Sequence, residues 1–118
     1  MLSFKIPKET DNFSWTKHSV EKMKYYGLSE QRVKRVLRYP NRTEKGIAPF
    51  TIAMMQRAGS KKRPHEIWTM YALLKNGKRV IISAWRYPGI SPKGHEIPIP
   101  DEIRGEVERE IKKLKDQK

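Results

Sequence analysis

Basic and aromatic side chains are the only groups in this sequence whose types and spacing suggest chemistry. Lys17, His18 and Lys22 fall on one predicted helix. Arg57, Lys61, Lys62, Arg63 and His65 surround a hairpin loop, and Trp68, Trp85, Arg86 and Tyr87 fall at the far end of the next hairpin. Such a set suits RNA, because guanidinium and ammonium groups hold phosphates while aromatic faces stack on unpaired bases. RNA cleavage needs no metal. The ribose 2′-OH attacks its own phosphodiester when a base takes its proton, a cation steadies the phosphorane and an acid protonates the leaving 5′-oxygen. His18, near a helix N-terminus that lowers its pKa, is the candidate base, and Arg57 and Arg86 are the candidate phosphate stabilisers. Tyr87 is the candidate acid or stacking group. Lys17, Lys22, Lys61, Lys62, Arg63, His65 and Trp85 are candidate RNA contacts.

Each of these residues also has a plainer role. A histidine early in a helix often caps or packs, Lys61-Lys62-Arg63 is the composition of a solvated turn, and Trp68 with Trp85 suits core packing. His95, in a connector, has no expected role.

The overall charge favours a polyanionic partner. The 118 residues carry 26 Lys and Arg against 13 Asp and Glu, a net charge of +13. Residues 101–118 hold six acids and six bases, so the whole excess lies in residues 1–100. A field of that size attracts nucleic acid, an anionic surface or an acidic protein.

Other chemistries lack their residues. Without cysteine there is no disulfide and no thiolate metal site. The three histidines are scattered, and the acids of residues 1–100 do not cluster, so neither a metal site nor a carboxylate pair is expected. No Gly-rich phosphate loop and no Gly-x-Ser-x-Gly elbow occurs, and no cofactor is expected. The opening MLSFKIPKET lacks a signal-peptide apolar core, and no apolar run is long enough for a bilayer, so a cytoplasmic protein is the expectation.

The elements that must position these groups read as an α+β fold. Leu2–Ile6 alternates like a short edge strand ended by Pro7. Thr16 caps a helix through Tyr26 with Gly27 as its stop, and Ser29 caps a second, buried through Val33, Val36 and Leu37, that ends at Pro40. Strands are expected over 49–57, 66–74 and 79–87, with 58–64 a basic loop. The expected fold is therefore a short N-terminal strand, two helices, a three-stranded antiparallel sheet and a C-terminal helix. Residues 1–88 form the main unit and 89–100 a Pro/Gly-rich connector. Asp101 caps a helix over 101–118, part of the same domain, with Ile103, Val107, Ile111 and Leu114 on one face. That helix either covers the sheet or mediates self-association.

Asn76-Gly77 is a strong hairpin signal, expected as a type I′ turn with positive φ at both residues. With Lys75 and Lys78 flanking a two-residue turn, Trp68 faces Trp85 directly. One sheet face then carries Ile67, Thr69, Tyr71, Leu73, Val80, Ile82, Ala84 and Arg86. The other carries Trp68, Met70, Ala72, Leu74, Arg79, Ile81, Ser83, Trp85 and Tyr87.

Two stretches carry a resemblance. His18-Ser19-Val20-Glu21-Lys22-Met23, then Gly27-Leu28-Ser29, then Val36-Leu37-Arg38-Tyr39-Pro40 resembles the opening of a small bacterial domain family of unknown function. Its members show His-Ala-x-x-Arg-Met, Arg-Gly-Ile-Ser and a helix ending near Asn-Pro. Ile82-Ser83-Ala84 followed by aromatic and basic residues resembles the Ile-Ser-Ala-Arg segment of BrnT-type toxins. Lys22 stands where the family has Arg, Tyr26 replaces the Arg before the glycine, and Trp85 occupies the last Arg position. The resemblance covers about residues 14–88. Both families are grouped with the RelE and ParE toxins, compact α+β domains of which many are metal-independent ribonucleases. It implies a toxin-like endoribonuclease acting on RNA, including RNA on the ribosome, with an acidic antitoxin as partner. Two alternatives stand beside it: a non-catalytic RNA-binding or ribosome-associated module, and a toxin acting on a protein target.

Overall fold

The computed structural model describes residues 4–116. The elements run β1 (Phe13–Trp15), α1 (Lys17–Tyr26), α2 (Glu30–Arg38), β2 (Arg42–Lys45), β3 (Thr51–Gly59), β4 (Pro64–Leu73), β5 (Arg79–Pro88) and α3 (Asp101–Asp116). Both N-terminal helices start and stop on the expected side chains. Thr16 Oγ1 accepts from Ser19 N, Ser29 Oγ accepts from Arg32 N, and Gly27, at φ 68°, turns the chain out of α1. Pro40 stops α2, since proline cannot donate the next helical hydrogen bond and disfavours helix in the residue before it.

The sheet corrects the expected fold. It has five strands, not three, in the order β1-β5-β4-β3-β2, and it is mixed, because β1 runs parallel to β5. Neither outer strand is long enough to show a period: β1 is Phe-Ser-Trp and β2 is Arg-Thr-Glu-Lys. Their strand character comes from the neighbours they pair with, Arg79–Ile81 for β1 and Ile52–Met55 for β2. The expected strand at Leu2–Ile6 is not a strand over Phe4–Ile6, and Leu2 and Ser3 lie outside the described residues. The following segment instead straps the helices, with Lys8 N donating to Glu30 Oε1 and Trp15 Nε1 donating to Lys8 O.

The first hairpin is tighter than expected. Strands β3 and β4 stay paired to Gly59 and Pro64, which reduces the basic loop to Ser60–Arg63. At the second hairpin, Gly77 is left-handed (φ 87°) but Asn76 is not, so the turn is not type I′. Gly77 N donates to Leu74 O and Leu74 N to Lys78 O, the pattern of a type I turn closed by a glycine bulge. Leu73 therefore pairs with Arg79, one residue off the expected register, and a second irregularity between Met70 and Tyr71 cancels the offset. Trp68 faces Trp85 as expected, but only because two one-residue shifts oppose each other. Between the shifts β5 is turned over. Ile81 faces Ile67 and Tyr71, while Val80 and Ile82 join Trp68 and Met70, the reverse of the expected faces.

Each face of the sheet has its own cover. Helices α1 and α2 bring Met23, Leu28, Val33, Val36 and Leu37 onto Ile67, Tyr71, Ile81 and Ala84. Helix α3 lays Ile103, Val107 and Ile111 on the other face, with Ile97 and Ile99 of the connector. Fully burying such an aliphatic side chain contributes about 1.5–3 kcal/mol. The C-terminal helix thus covers the sheet within one chain, which decides between its two expected roles. Among the described residues no helix is long and apolar enough to cross a membrane.

Candidate RNA-binding site

The first turn of α1 carries His18, and the helix points it inward. It is 5% exposed, with Nε2 3.0 Å from Ser83 Oγ and Nδ1 against the Glu106 carboxylate of α3. Burial pushes its pKa below the ordinary histidine value, and Lys22 adds to this. Glu106 and Glu110 oppose both effects. The order serine, imidazole, carboxylate is that of a nucleophile relay, but Ser83 has no exposed surface. The three groups instead clasp α1, β5 and α3 together, and His18 is enclosed away from any RNA strand.

Arg86 leaves the end of β5 on the α1/α2 face. Its Nε donates to Tyr26 O, the carbonyl at the end of α1, at 2.8 Å, and its Nη1 lies 2.9 Å from His65 Nε2. A guanidinium offers only donors, so His65 must accept through Nε2 and carry its proton on Nδ1. Burial, then Arg86 and Arg32, hold the His65 pKa below its ordinary value. Gly59, at φ 83°, allows this placement: a Cβ there would come within 2.3 Å of Arg63 O and 2.8 Å of His65 Nδ1.

Arg32 completes the group from α2. Its Nη1 donates to Gln56 Oε1 on β3, and Gln56 Nε2 donates to Tyr39 O at 3.3 Å. Burial and then the nearby Arg35 and Arg86 charges lower the Arg32 pKa. Among the described residues Arg32, His65 and Arg86 form no ion pair with any carboxylate. Two arginines and a histidine thus face one another, half-buried and without a counter-charge.

The expected catalytic trio does not gather. His18 is enclosed and Arg86 is on the helix face. Arg57 is exposed at the end of β3, alternating with Met55 and therefore on the α3 face. Its backbone N donates to Asn41 Oδ1 at 2.7 Å. Tyr87 is half-buried against the α3-side core, away from Arg86. Trp85 is wholly buried, stacked on Trp68 with ring centres 6.0 Å apart and Nε1 donating to Pro98 O. No base can reach it.

No protein-family model, curated protein or solved structure matches this chain. The functional reading therefore rests on the chain's own geometry.

The remaining expected contacts divide between the two ends of α1 and the first hairpin. Lys61, Lys62 and Arg63 are exposed at the hairpin tip, and Gly89 N, donating to Pro64 O, ties that tip to the end of β5 that carries Arg86. Lys17 is exposed at the start of α1, beside Lys78 and Lys113. Lys22 lies over the Tyr25 ring, 5.6 Å from its centre. Among the described residues no three histidine or acidic side chains gather as a metal site.

Sequence reasoning missed two groups. Arg32 and Gln56 belong to the cationic cluster, and the one local signal for Arg32 is its place beside Val36, at the edge of the Val33, Val36 and Leu37 stripe. The second is a buried polar anchor under the connector. Glu66, 1% exposed, accepts from Trp68 Nε1 and Ser91 N, each at 3.0 Å. Arg42 donates to Ser91 Oγ at 2.7 Å and to Glu44 Oε2, and its guanidinium lies 5.2 Å from the Trp68 ring centre. It fastens the start of the connector to the sheet.

Proposed function

We propose that this protein binds RNA, with phosphates seated on Arg32, His65 and Arg86 and the backbone led there by Lys61, Lys62 and Arg63. The observation that carries this is the cluster of facing cations without a carboxylate. Burial first, and then the neighbouring cations, lower the pKa of both Arg32 and His65, and a phosphate supplies the missing counter-charge while using the donors' planar geometry. The net charge of +13 supplies the long-range attraction.

The test is fluorescence anisotropy of labelled RNA at several salt concentrations. Wild type binds with an affinity that falls steeply as salt rises. Arg32→Gln with Arg86→Gln weakens binding at least tenfold and flattens the salt slope, by about one unit per phosphate contact removed. No binding at low salt, or a double variant that binds like wild type, removes the proposal.

A second reading is metal-independent RNA cleavage at the same cluster, which the resemblance of residues 14–88 to families grouped with the RelE and ParE toxins implies. The neutral His65 beside Arg86 favours it. In this reading His65, not the enclosed His18, accepts the 2′-OH proton as the 2′-oxygen bonds to phosphorus and the 5′-oxygen leaves. Incubating RNA with the protein in EDTA tests it: cyclic-phosphate ends that disappear with His65→Gln support it, and intact RNA excludes it.

A further inference from the structure

A nucleic-acid face can suit a duplex or an unpaired strand, and exposed aromatic rings distinguish the two. A duplex presents phosphates, sugars and base edges, and hides the base faces on which a ring would stack. An unpaired strand offers those faces, and proteins that hold one combine a cationic track with aromatic platforms.

Both tryptophans of the sheet core are buried here, but Tyr25 is 76% exposed and Tyr39 64% exposed. The two tyrosines bracket the cationic cluster. Tyr25 directly precedes Tyr26, whose carbonyl holds Arg86 Nε, and its ring stands edge-on to the Tyr26 ring at 4.8 Å. At the other side, the carbonyl of Tyr39 holds Gln56 Nε2, while Gln56 Oε1 accepts from Arg32. Tyr39 is the residue that ends α2, its N–H donating to Arg35 O, so its backbone stands about 10 Å along the axis from Arg32. Hydrogen bonds thus link the backbone beside each ring to a guanidinium of the cluster.

From this order of ring, cations and ring we infer that the face takes an unpaired RNA strand, with phosphates on Arg32 and Arg86 and bases stacked on Tyr25 and Tyr39. The inference rests on the RNA-binding reading of the same cluster and adds the form of RNA.

The experiment compares a fluorescein-labelled single-stranded RNA 12-mer with a blunt RNA duplex of the same length. Both are titrated with wild type, Tyr25→Ala, Tyr39→Ala and the matching phenylalanine variants. Wild type is expected to prefer the single strand at least tenfold. Each alanine variant is expected to lose about tenfold on the single strand and nothing on the duplex. Each phenylalanine variant, which keeps the ring, is expected to bind like wild type. Equal or tighter duplex binding overturns the inference, and so do alanine variants that bind the single strand as wild type does. In either case, binding that still depends on Arg32 leaves the RNA-binding reading standing. Failure to bind either RNA overturns both.

Discussion

Arg86 Nη1 lies 2.9 Å from His65 Nε2, and this contact sets the protonation state of the candidate site. With the guanidinium as donor, the imidazole must be neutral, and Gly59 beneath it leaves the room this placement needs.

A phosphate at this cluster changes that state. Its negative charge favours the imidazolium that Arg86 and Arg32 disfavour, so binding takes up a proton. RNA affinity is therefore expected to rise as pH falls from about 7.5 to 5.5, around the ordinary histidine pKa. Anisotropy titrations across that range check this, and His65→Gln is expected to flatten the dependence. An affinity independent of pH in wild type contradicts it.

Folding stability should move the other way. His18 and His65 both have folded-state pKa values lowered from 6.5. Below pH 6.5 the unfolded chain binds more protons than the folded one, so stability is full above that pH and declines as pH falls toward the lowered values. Urea midpoints measured at pH 7.5, 6.5 and 5.5 are expected to fall in that order. His18→Gln should lessen the decline, since glutamine does not titrate.

The clasp joining α1, β5 and α3 should contribute to stability without touching RNA. Ser83→Ala leaves His18 Nε2 buried with no partner, which costs about 1–3 kcal/mol. The expected result is a lower urea midpoint with RNA affinity unchanged at a temperature where the variant is folded. A loss of affinity in the folded variant would return His18 and Ser83 to the functional site.

Gly59→Ala combines strain with displacement. The residue has φ 83°, and the added methyl overlaps Arg63 O and the His65 ring. The expected cost exceeds 1 kcal/mol. Thermal unfolding measures it, and RNA binding should weaken because His65 is pushed from Arg86. Ala58→Gly, one residue earlier, is a control for simple loosening of the strand and should leave the His65–Arg86 contact in place.

Much of the scaffold was legible because its signals are local. Thr16, Ser29 and Gly27 bound their helices through hydrogen bonds and dihedrals set within a few residues. The apolar spacing of Ile103, Val107 and Ile111 marked the buried side of α3 without saying what it covers. The outer strands were not legible. Phe13–Trp15 and Arg42–Lys45 acquire their conformation from the strands beside them. That His18, Arg57 and Arg86 lie apart was not legible for a related reason, since residue type says nothing about which side of the sheet a side chain occupies. On β5 a glycine bulge and a mid-strand irregularity decide it for Val80, Ile81 and Ile82.

The sequence by itself determined the excess of positive charge, the three helices and the presence of a hairpin at Asn76-Gly77. Composition and short-range backbone geometry suffice for these. Only the tertiary structure decided that His18 is sealed under α3, that Trp85 is core, and that Arg32, His65 and Arg86 meet. Those three come from α2, β4 and β5, and their meeting depends on strand register and helix docking, which no local pattern of residues encodes.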